Sequence, residues 1–366
     1  MNWKNLLSPA KVVRAVEIES QAAWMMVRCG KPDKILHFLG GFGDELLLTC
    51  VARELRERHP RIAIWQVSHA ADLLRGNPDY SLVLDGNYWA LRHSNLLERW
   101  RIRLSYAEPI GTRGAEKQPA EHILAVLCRR AGLTGTVRLR PWYHQTEAEA
   151  AAGRLAKRQI SIQSVGDRTH ETWMRNKTWF HERFQEVVQR LAKLKRDVTV
   201  IQLGSSGDPP LSGVLDLRGQ TSLRETAAVL SQSEAFIGTS GLLSHLARAA
   251  ECRAVIIYGG REHAWQTGYS CNENLESRPP CAPCWLWNDC DFDRVCMRQI
   301  TADHVVSAVE RVLARHGEPL NEDRAIIEPG AQAAATAPES RPNSVAAHDS
   351  EPGVPQSEAA IGSASR

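Results

Sequence analysis

The chain has 366 residues, with 45 Lys and Arg against 42 Asp and Glu, 43% hydrophobic and 24% charged residues. That length is a prior for two domains, and the balance is that of an ordinary globular protein, which argues against a disordered chain, a collagen or a polyanion-coating tail. No apolar run reaches the roughly 18 to 20 residues needed to cross a bilayer, and no compact apolar leader precedes a small-residue cleavage site, so the sequence reads as cytoplasmic.

Residues 1–30 carry apolar positions Leu6, Leu7, Val12, Val13, Val16, Trp24, Met25 and Met26 in a loosely amphipathic pattern, fit to lie on the core or on a membrane surface, with the core reading favoured because the basic face is thin. From Lys34, short β-branched runs alternate with helical patterns: KILHFLG, a helix from about Asp44 to Arg58, RIAIWQVS, a helical stretch, YSLVLDG, RIRLSYA and a helix near 120–131. This is the rhythm of a parallel α/β sheet. Pro141 to Ala152 interrupts it and marks a domain boundary. A second series then runs through RQISIQSVG, a helix from about His181 to Leu194, DVTVIQLGS, GVLDLRG, a helix from Ser222 to Leu230, EAFIGTS, a helix from Gly241 to Ala250, and RAVIIYGG. Two successive open parallel sheets imply two Rossmann-like halves. A cysteine-rich loop at 271–296 follows, then a helix capped by Thr301. From about Asn321 the composition shifts to Ala, Pro, Ser, Glu and Gly without periodicity, which predicts a disordered tail over 321–366.

Four segments carry chemistry. In GGFGDELLLTC a strand runs into Gly40, Gly41, Phe42 and Gly43, where a ligand can approach the backbone at a helix start. The spacing is not GxGxxG, and no acidic residue closes the second strand, so a nicotinamide enzyme is disfavoured. Asp44 reads either as a helix cap or as a base facing an interdomain cleft. In ISIQSVGDRTHETWMRNKTWF a strand ends in a polar loop with Arg168, Thr169, His170, Arg175 and Lys177, cations and hydroxyls suited to a diphosphate or simply solvated. In EAFIGTSGLLSHLARAA the turn Thr239, Ser240, Gly241, Leu242 leaves amide donors at a helix start, with His245 one turn on, packed or functional. Cys281, Cys284, Cys290 and Cys296 form CxxC, five residues, C, five residues, C; nine cysteines in the whole chain are too sparse for a disulfide scaffold. Four thiolates within one loop suit a closed tetrahedral zinc, with iron or buried thiols as the other readings. Gly204 and Ser205, after VTVIQLGS, are candidate nucleoside contacts, and Asp208 beside two prolines reads as a turn former.

In order, GGFGDELLLTCVARELRERHP, NKTWFHERF, DLRGQTSLRETAAVLSQSEAFIGTSGLLSHLARA and CAPCW…CM…I resemble the heptosyltransferase-like glycosyltransferases of family 9, over about Lys34 to Leu313. The resemblance implies a GT-B architecture, two Rossmann-like domains facing across a cleft: a helical segment at 1–30, an acceptor domain at 31–145 and a donor domain at 150–318. It further implies that Asp44 is the catalytic base, that Lys177 contacts the donor phosphates and that the Thr239 to His245 turn holds the donor diphosphate. Gly41 and Gly43 in the first loop join the donor contacts. The implied activity is inverting transfer of a sugar, heptose among the candidates, from a nucleotide-diphosphate sugar to a lipopolysaccharide or other cell-surface glycan. That chemistry would need no metal cofactor, with zinc in a structural role only, no nucleic acid, and a peripheral contact with the inner membrane. The family's donor-loop acid is replaced here by Thr239 and Ser240, which motivates a second reading as an inactive nucleotide-sugar sensor or scaffold. A third, a zinc-dependent nucleic-acid module, is opposed by a net charge of only +3.

Overall fold

Two parallel sheets, built one after the other along the chain, with two small antiparallel pairs beside them, organise the computed structural model, which describes residues 9–38, 40–110, 115–165, 174–194 and 197–329. Arg168, Thr169 and His170, and the expected tail from residue 330 on, lie outside the described residues.

The first sheet is preceded by helix α1 (Pro9–Cys29), whose only fully buried residues are Ala22 and Met25. These pack with Ile35, Trp65 and Leu91, whereas Val12, Val13, Val16, Trp24 and Val27 are exposed, Val27 by 87%. The expectation that this segment's apolar positions lie on the core therefore holds for one narrow face only. At 100° per residue the valines fall on the side of the helix opposite Ala22 and Met25, so both cannot be covered by the same core.

Strands β1 (Lys34–Phe38), β2 (Ile64–Val67), β3 (Leu82–Leu84) and β4 (Arg101–Leu104) pair in the order β3-β2-β1-β4, all parallel. Between β1 and β2 runs α2 (Phe42–Arg58), and α3 (Ile123–Arg130) packs against it. β2 is buried throughout, as a strand with helices on both faces must be.

The second sheet contains β6 (Gln159–Ile162), β7 (Thr199–Gln202), β8 (Leu215–Asp216), β9 (Ala235–Thr239), β10 (Ala254–Tyr258) and β11 (Glu273–Glu276), again all parallel. Its order, β8-β7-β6-β9-β10-β11, is the doubly wound order in which the first and fourth strands lie side by side. Helices α4 (His181–Leu194), α5 (Leu223–Ser231), α6 (Leu242–Ala249) and α7 (Ala302–Ala314) cover it. β11 has no β-branched run and was not foreseen; its ENLE backbone pairs with β10 at Ile257↔Leu275.

The tail expected from residue 321 is corrected at its start. Residues Arg324–Ile327 form strand β12, antiparallel to β5 (Gly135–Arg138) of the first domain, with Ile327 paired to Gly135. Ile327 is buried in the first domain's core beside Val137 and Leu124. The apolar run Ala325, Ile326, Ile327 is short and framed by Glu322, Asp323 and Glu328, so it is masked by the polar composition around it.

The two domains share packed surfaces. Leu46 of α2 is buried with Leu243 and Leu246 of α6, and Tyr269 and Cys271 enter the first domain's core. The Nε2 of His122 lies 2.9 Å from the carbonyl of Gly268. Arg224 of α5 grips Glu149 through Nε and Nη2 at 2.6 and 2.7 Å and donates to the backbone oxygens of Arg75 and His144.

Candidate active site

In both sheets the chain winds one way from the first strand and the other way to the fourth, and the crevice outside the carboxyl ends of those two strands is where open α/β sheets bind ligands. In the first sheet this point lies between β1 and β4. The loop after β1 carries Gly40 and Gly41, and Asp44 is the third residue of α2. Its Oδ2 accepts the amide of Gly41 at 2.9 Å, so Gly41 is the N-cap and Asp44, read from the sequence as the N-cap itself, caps from the third helical position. Its Oδ1 accepts the hydroxyl of Tyr106, just past β4, at 2.7 Å. The carboxylate is thus fixed from both sides of the switch point. A Cβ on Gly40 would run into it, which explains the glycine there.

Beneath this loop lies a buried ion pair with no local signature in the sequence, Glu45 with Arg92, whose side chains are almost wholly enclosed. Arg92 also donates to the carbonyls of Val67 at 2.8 Å and Phe38 at 3.2 Å, the last residues of β2 and β1. Glu45 accepts from the hydroxyl of Ser68 and from the amide of Ala70 at 3.1 Å. Removing either charge would strand the other in the interior, so the pair locks the loop to the sheet.

Gly43 meets the second domain: a Cβ there would lie 3.4 Å from the Cα of Leu242, at the start of α6. The amino-terminal ends of α2 and α6 therefore abut. Beside this contact opens a cleft of ≈ 530 Å³, lined by Phe42 of the first domain and by Lys177, Gly204, Ser205, Thr239, Ser240, Gly241 and Leu242 of the second. These seven second-domain residues were singled out from the sequence; Gln163, Met174, Gly219 and Thr221, which also line the cleft, were not. Gly204 has φ +128 and a Cβ there would collide with Asp208, whose Oδ2 accepts the amide of Ser205 at 2.9 Å. Asp208 thus shapes the turn that presents Gly204 and Ser205. Asp44 does not itself line the cleft but lies two residues from Phe42, which does. His245 is not in the lining; its Nδ1 pairs with the hydroxyl of Tyr269 at 2.8 Å, and burial, with the charge of Lys177 nearby, pushes the imidazole down to about 3.

Behind the cleft's lining lies an acid that the sequence reading missed. Glu262, 4% exposed, lies 2.9 Å from the Nζ of Lys177 and accepts the hydroxyl of Ser240. Burial alone would raise its carboxyl, but the charge of Lys177 and the bonds from Ser240 and Lys177 bring it below the usual range, so it is a carboxylate.

The cysteine-rich loop forms the wall behind Lys177. The amide of Asn176 donates to Trp287 O at 3.0 Å and its side chain to Leu286 O and Asp289 O at 3.1 and 3.0 Å. Arg261, fully buried, stacks 3.5 Å from the Trp287 ring centroid and 4.8 Å from that of Trp285. Within the loop, Cys296 Sγ accepts the Gly260 amide at 3.0 Å and Cys290 Sγ accepts the Arg294 amide at 3.2 Å. A Cβ on Gly260 would lie 3.1 Å from Cys296 Sγ and 3.7 Å from Cys284 Sγ, so a glycine keeps room where the sulfurs converge. Burial pushes the thiols of Cys284 and Cys296 up. Among the described residues, no group of three or more His, Cys, Asp and Glu side chains is set as a metal cage. Four thiols and two amide-to-sulfur bonds are nevertheless a donor set of the right chemistry for zinc or iron.

This fold, with a cleft at paired switch points, is that of a GT-B protein. A family model described as glycosyltransferase family 9 (heptosyltransferase) matches residues 144–285, within the second domain, in agreement with the resemblance read from the sequence. Among solved structures, ADP-heptose lipopolysaccharide heptosyltransferase II of E. coli aligns with TM-score 0.57 at 14% identity, over 77% of this chain and 99% of its own. A family 9 glycosyltransferase of Veillonella parvula aligns with TM-score 0.56 at 12% identity, over 78% and 98%. The dodecameric iron-containing heptosyltransferase TibC, solved with ADP-D-β-D-heptose, aligns with TM-score 0.58 at 18% identity, over 77% and 76%; TibC comes from enterotoxigenic E. coli. No curated protein matches the chain.

Proposed function

We propose that the chain is an inverting glycosyltransferase that moves a sugar, heptose first among the candidates, from a nucleotide-diphosphate sugar to a lipopolysaccharide or other cell-surface glycan. The observation that carries this reading is the contact of Gly43 with Leu242, which brings the helix bearing Asp44 against the turn that starts α6, at the mouth of one cleft. The solved complex of TibC with ADP-D-β-D-heptose supports a donor of that type.

In this reading the donor diphosphate lies against Lys177 and the Ser240–Leu242 turn, where an ammonium and helix-start amides meet negative charge. Asp44 takes the proton from the acceptor hydroxyl as that oxygen attacks the anomeric carbon, which inverts its configuration. The sugar–phosphate bond breaks, and the diphosphate leaves with its electron pair, stabilised by Lys177 and the turn amides. The carboxylate is already held by Gly41 and Tyr106, so its position rather than its basicity carries most of its effect.

Two subsidiary proposals follow. Cys281, Cys284, Cys290 and Cys296 close on a structural zinc or iron; because the same loop holds Asn176 by three hydrogen bonds, the metal would stiffen the turn that carries Lys177. Elemental analysis of the purified protein tests this, with one zinc or iron per chain expected. The chain meets its acceptor at the membrane as a peripheral protein. In support, α1 exposes Val12, Val16, Trp24 and Val27, with Arg28 stacked 5.1 Å over Trp24, and no described helix is long and apolar enough to cross a membrane.

A thermal-shift screen against nucleotide diphosphates and nucleotide sugars, followed by a transfer assay with those that bind, tests the main reading. A raised melting temperature with ADP-heptose or another nucleotide sugar, and turnover of that sugar, is expected. Binding without turnover would leave a sensor, and no stabilisation by any nucleotide would remove the reading.

A further inference from the structure

We propose that Glu262 is the built-in counter-ion of the cleft, competing with a bound diphosphate for Lys177 and Ser240 and so setting how readily the spent nucleotide leaves. This rests on the reading of Lys177 and the Ser240–Leu242 turn as the diphosphate site.

Two observations carry it. Glu262 is enclosed, yet it bonds to two groups that line the cleft, the Nζ of Lys177 at 2.9 Å and the hydroxyl of Ser240. A buried carboxylate needs such partners, since its desolvation is otherwise uncompensated. Lys177 in turn is only 16% exposed, and among the described residues Glu262 is the carboxylate paired with its ammonium, so the positive charge facing the cleft is already offset. A diphosphate therefore does not meet an isolated positive charge. It must share Lys177 with Glu262 or displace it, and the carboxylate is in place to recover both partners when the diphosphate departs. Such an arrangement weakens nucleotide binding at the phosphates and speeds its release. It is a positioning role, exercised through Lys177 and Ser240.

The sign of the effect separates this role from simple scaffolding. Glu262→Gln keeps the side chain's shape and a hydrogen-bonding oxygen but removes the competing charge. Calorimetric titration with ADP and with inorganic pyrophosphate should show both binding about tenfold more tightly to E262Q than to the unaltered chain, within the range of ordinary couplings between sites. Product inhibition of transfer should rise in step. In a Lys177→Ala background the same substitution should no longer give that full tenfold gain, because competition for the ammonium is gone and only that for Ser240 remains. If E262Q does not fold, Glu262→Asp, which draws the carboxylate back by one methylene, should tighten binding in the same direction by about threefold, a smaller coupling of the same kind. Weaker or unchanged ADP binding in the folded variants would overturn the counter-ion role while leaving the diphosphate site intact. Failure of the unaltered chain to bind either ADP or pyrophosphate would overturn both.

Discussion

Replacing Asp44 with Asn retains an oxygen for the Gly41 amide and removes the charge that would take a proton, so it isolates the base from the cap. Transfer should fall by about 100-fold or more, the usual scale of general-base catalysis, while donor affinity measured by calorimetry stays within a factor of a few. Full transfer in that variant would reassign the base. His245 and His122 make a second residue-scale prediction. Burial pushes His245 down to about 3 and His122 down to about 4, so both stay neutral in the fold while an unfolded imidazole titrates near 6.5. The unfolded state binds the protons first. Stability from these groups is complete above about pH 6.5 and declines as pH falls towards their folded values, by up to about 1.4 kcal/mol per pH unit for each. Melting temperature should accordingly drop between pH 7 and 5; a flat profile would show that the two imidazoles are protonated without penalty. At this scale Gly204 and the 239–242 turn were legible because each stands at the carboxyl end of a strand, and Lys177 because it lies in the polar stretch between β6 and α4. Glu262 was not legible. It sits in a loop beyond the last apolar strand, and what makes it part of the site is contact with Lys177 and Ser240, which no local pattern encodes.

Among the elements, β12 offers the sharpest test. A chain ending at residue 321 loses the pairing of Arg324–Ile327 with β5 and exposes the core around Val137 that Ile327 covers. Burial of one isoleucine is worth about 1.5–3 kcal/mol, so that chain should melt several degrees below one ending at residue 329. Equal melting temperatures would mean the strand adds nothing to the first domain. The strands the sequence announced are runs such as AFIGT and AVIIY, buried along their whole length and so apolar almost throughout. β11 and β12 escaped because each lies at a sheet edge, half exposed, where polar residues are tolerated and the alternation is too short to read. For α1 the apolar positions were recognised, but periodicity alone could not say which of two apolar faces would find the core.

For the whole molecule, two alternating series predicted two parallel sheets, and the strand orders agree with two Rossmann-like halves. How those halves meet was not readable, because the seam depends on Leu46, Leu243 and Leu246 facing one another, and each of them also satisfies its own helix's amphipathic pattern. The abutting helix starts at Gly43 and Leu242 follow from that seam, and the two switch points then open on one side of it. The most direct measurement is a crystal structure with the nucleoside diphosphate that stabilises the protein best. The account predicts phosphate oxygens within hydrogen-bond distance of Lys177 and of the Ser240–Leu242 turn, with the terminal phosphate on the side of the cleft where Phe42 leads to Asp44. A nucleotide bound elsewhere on the molecule, or with its phosphates turned away from Lys177, would contradict it.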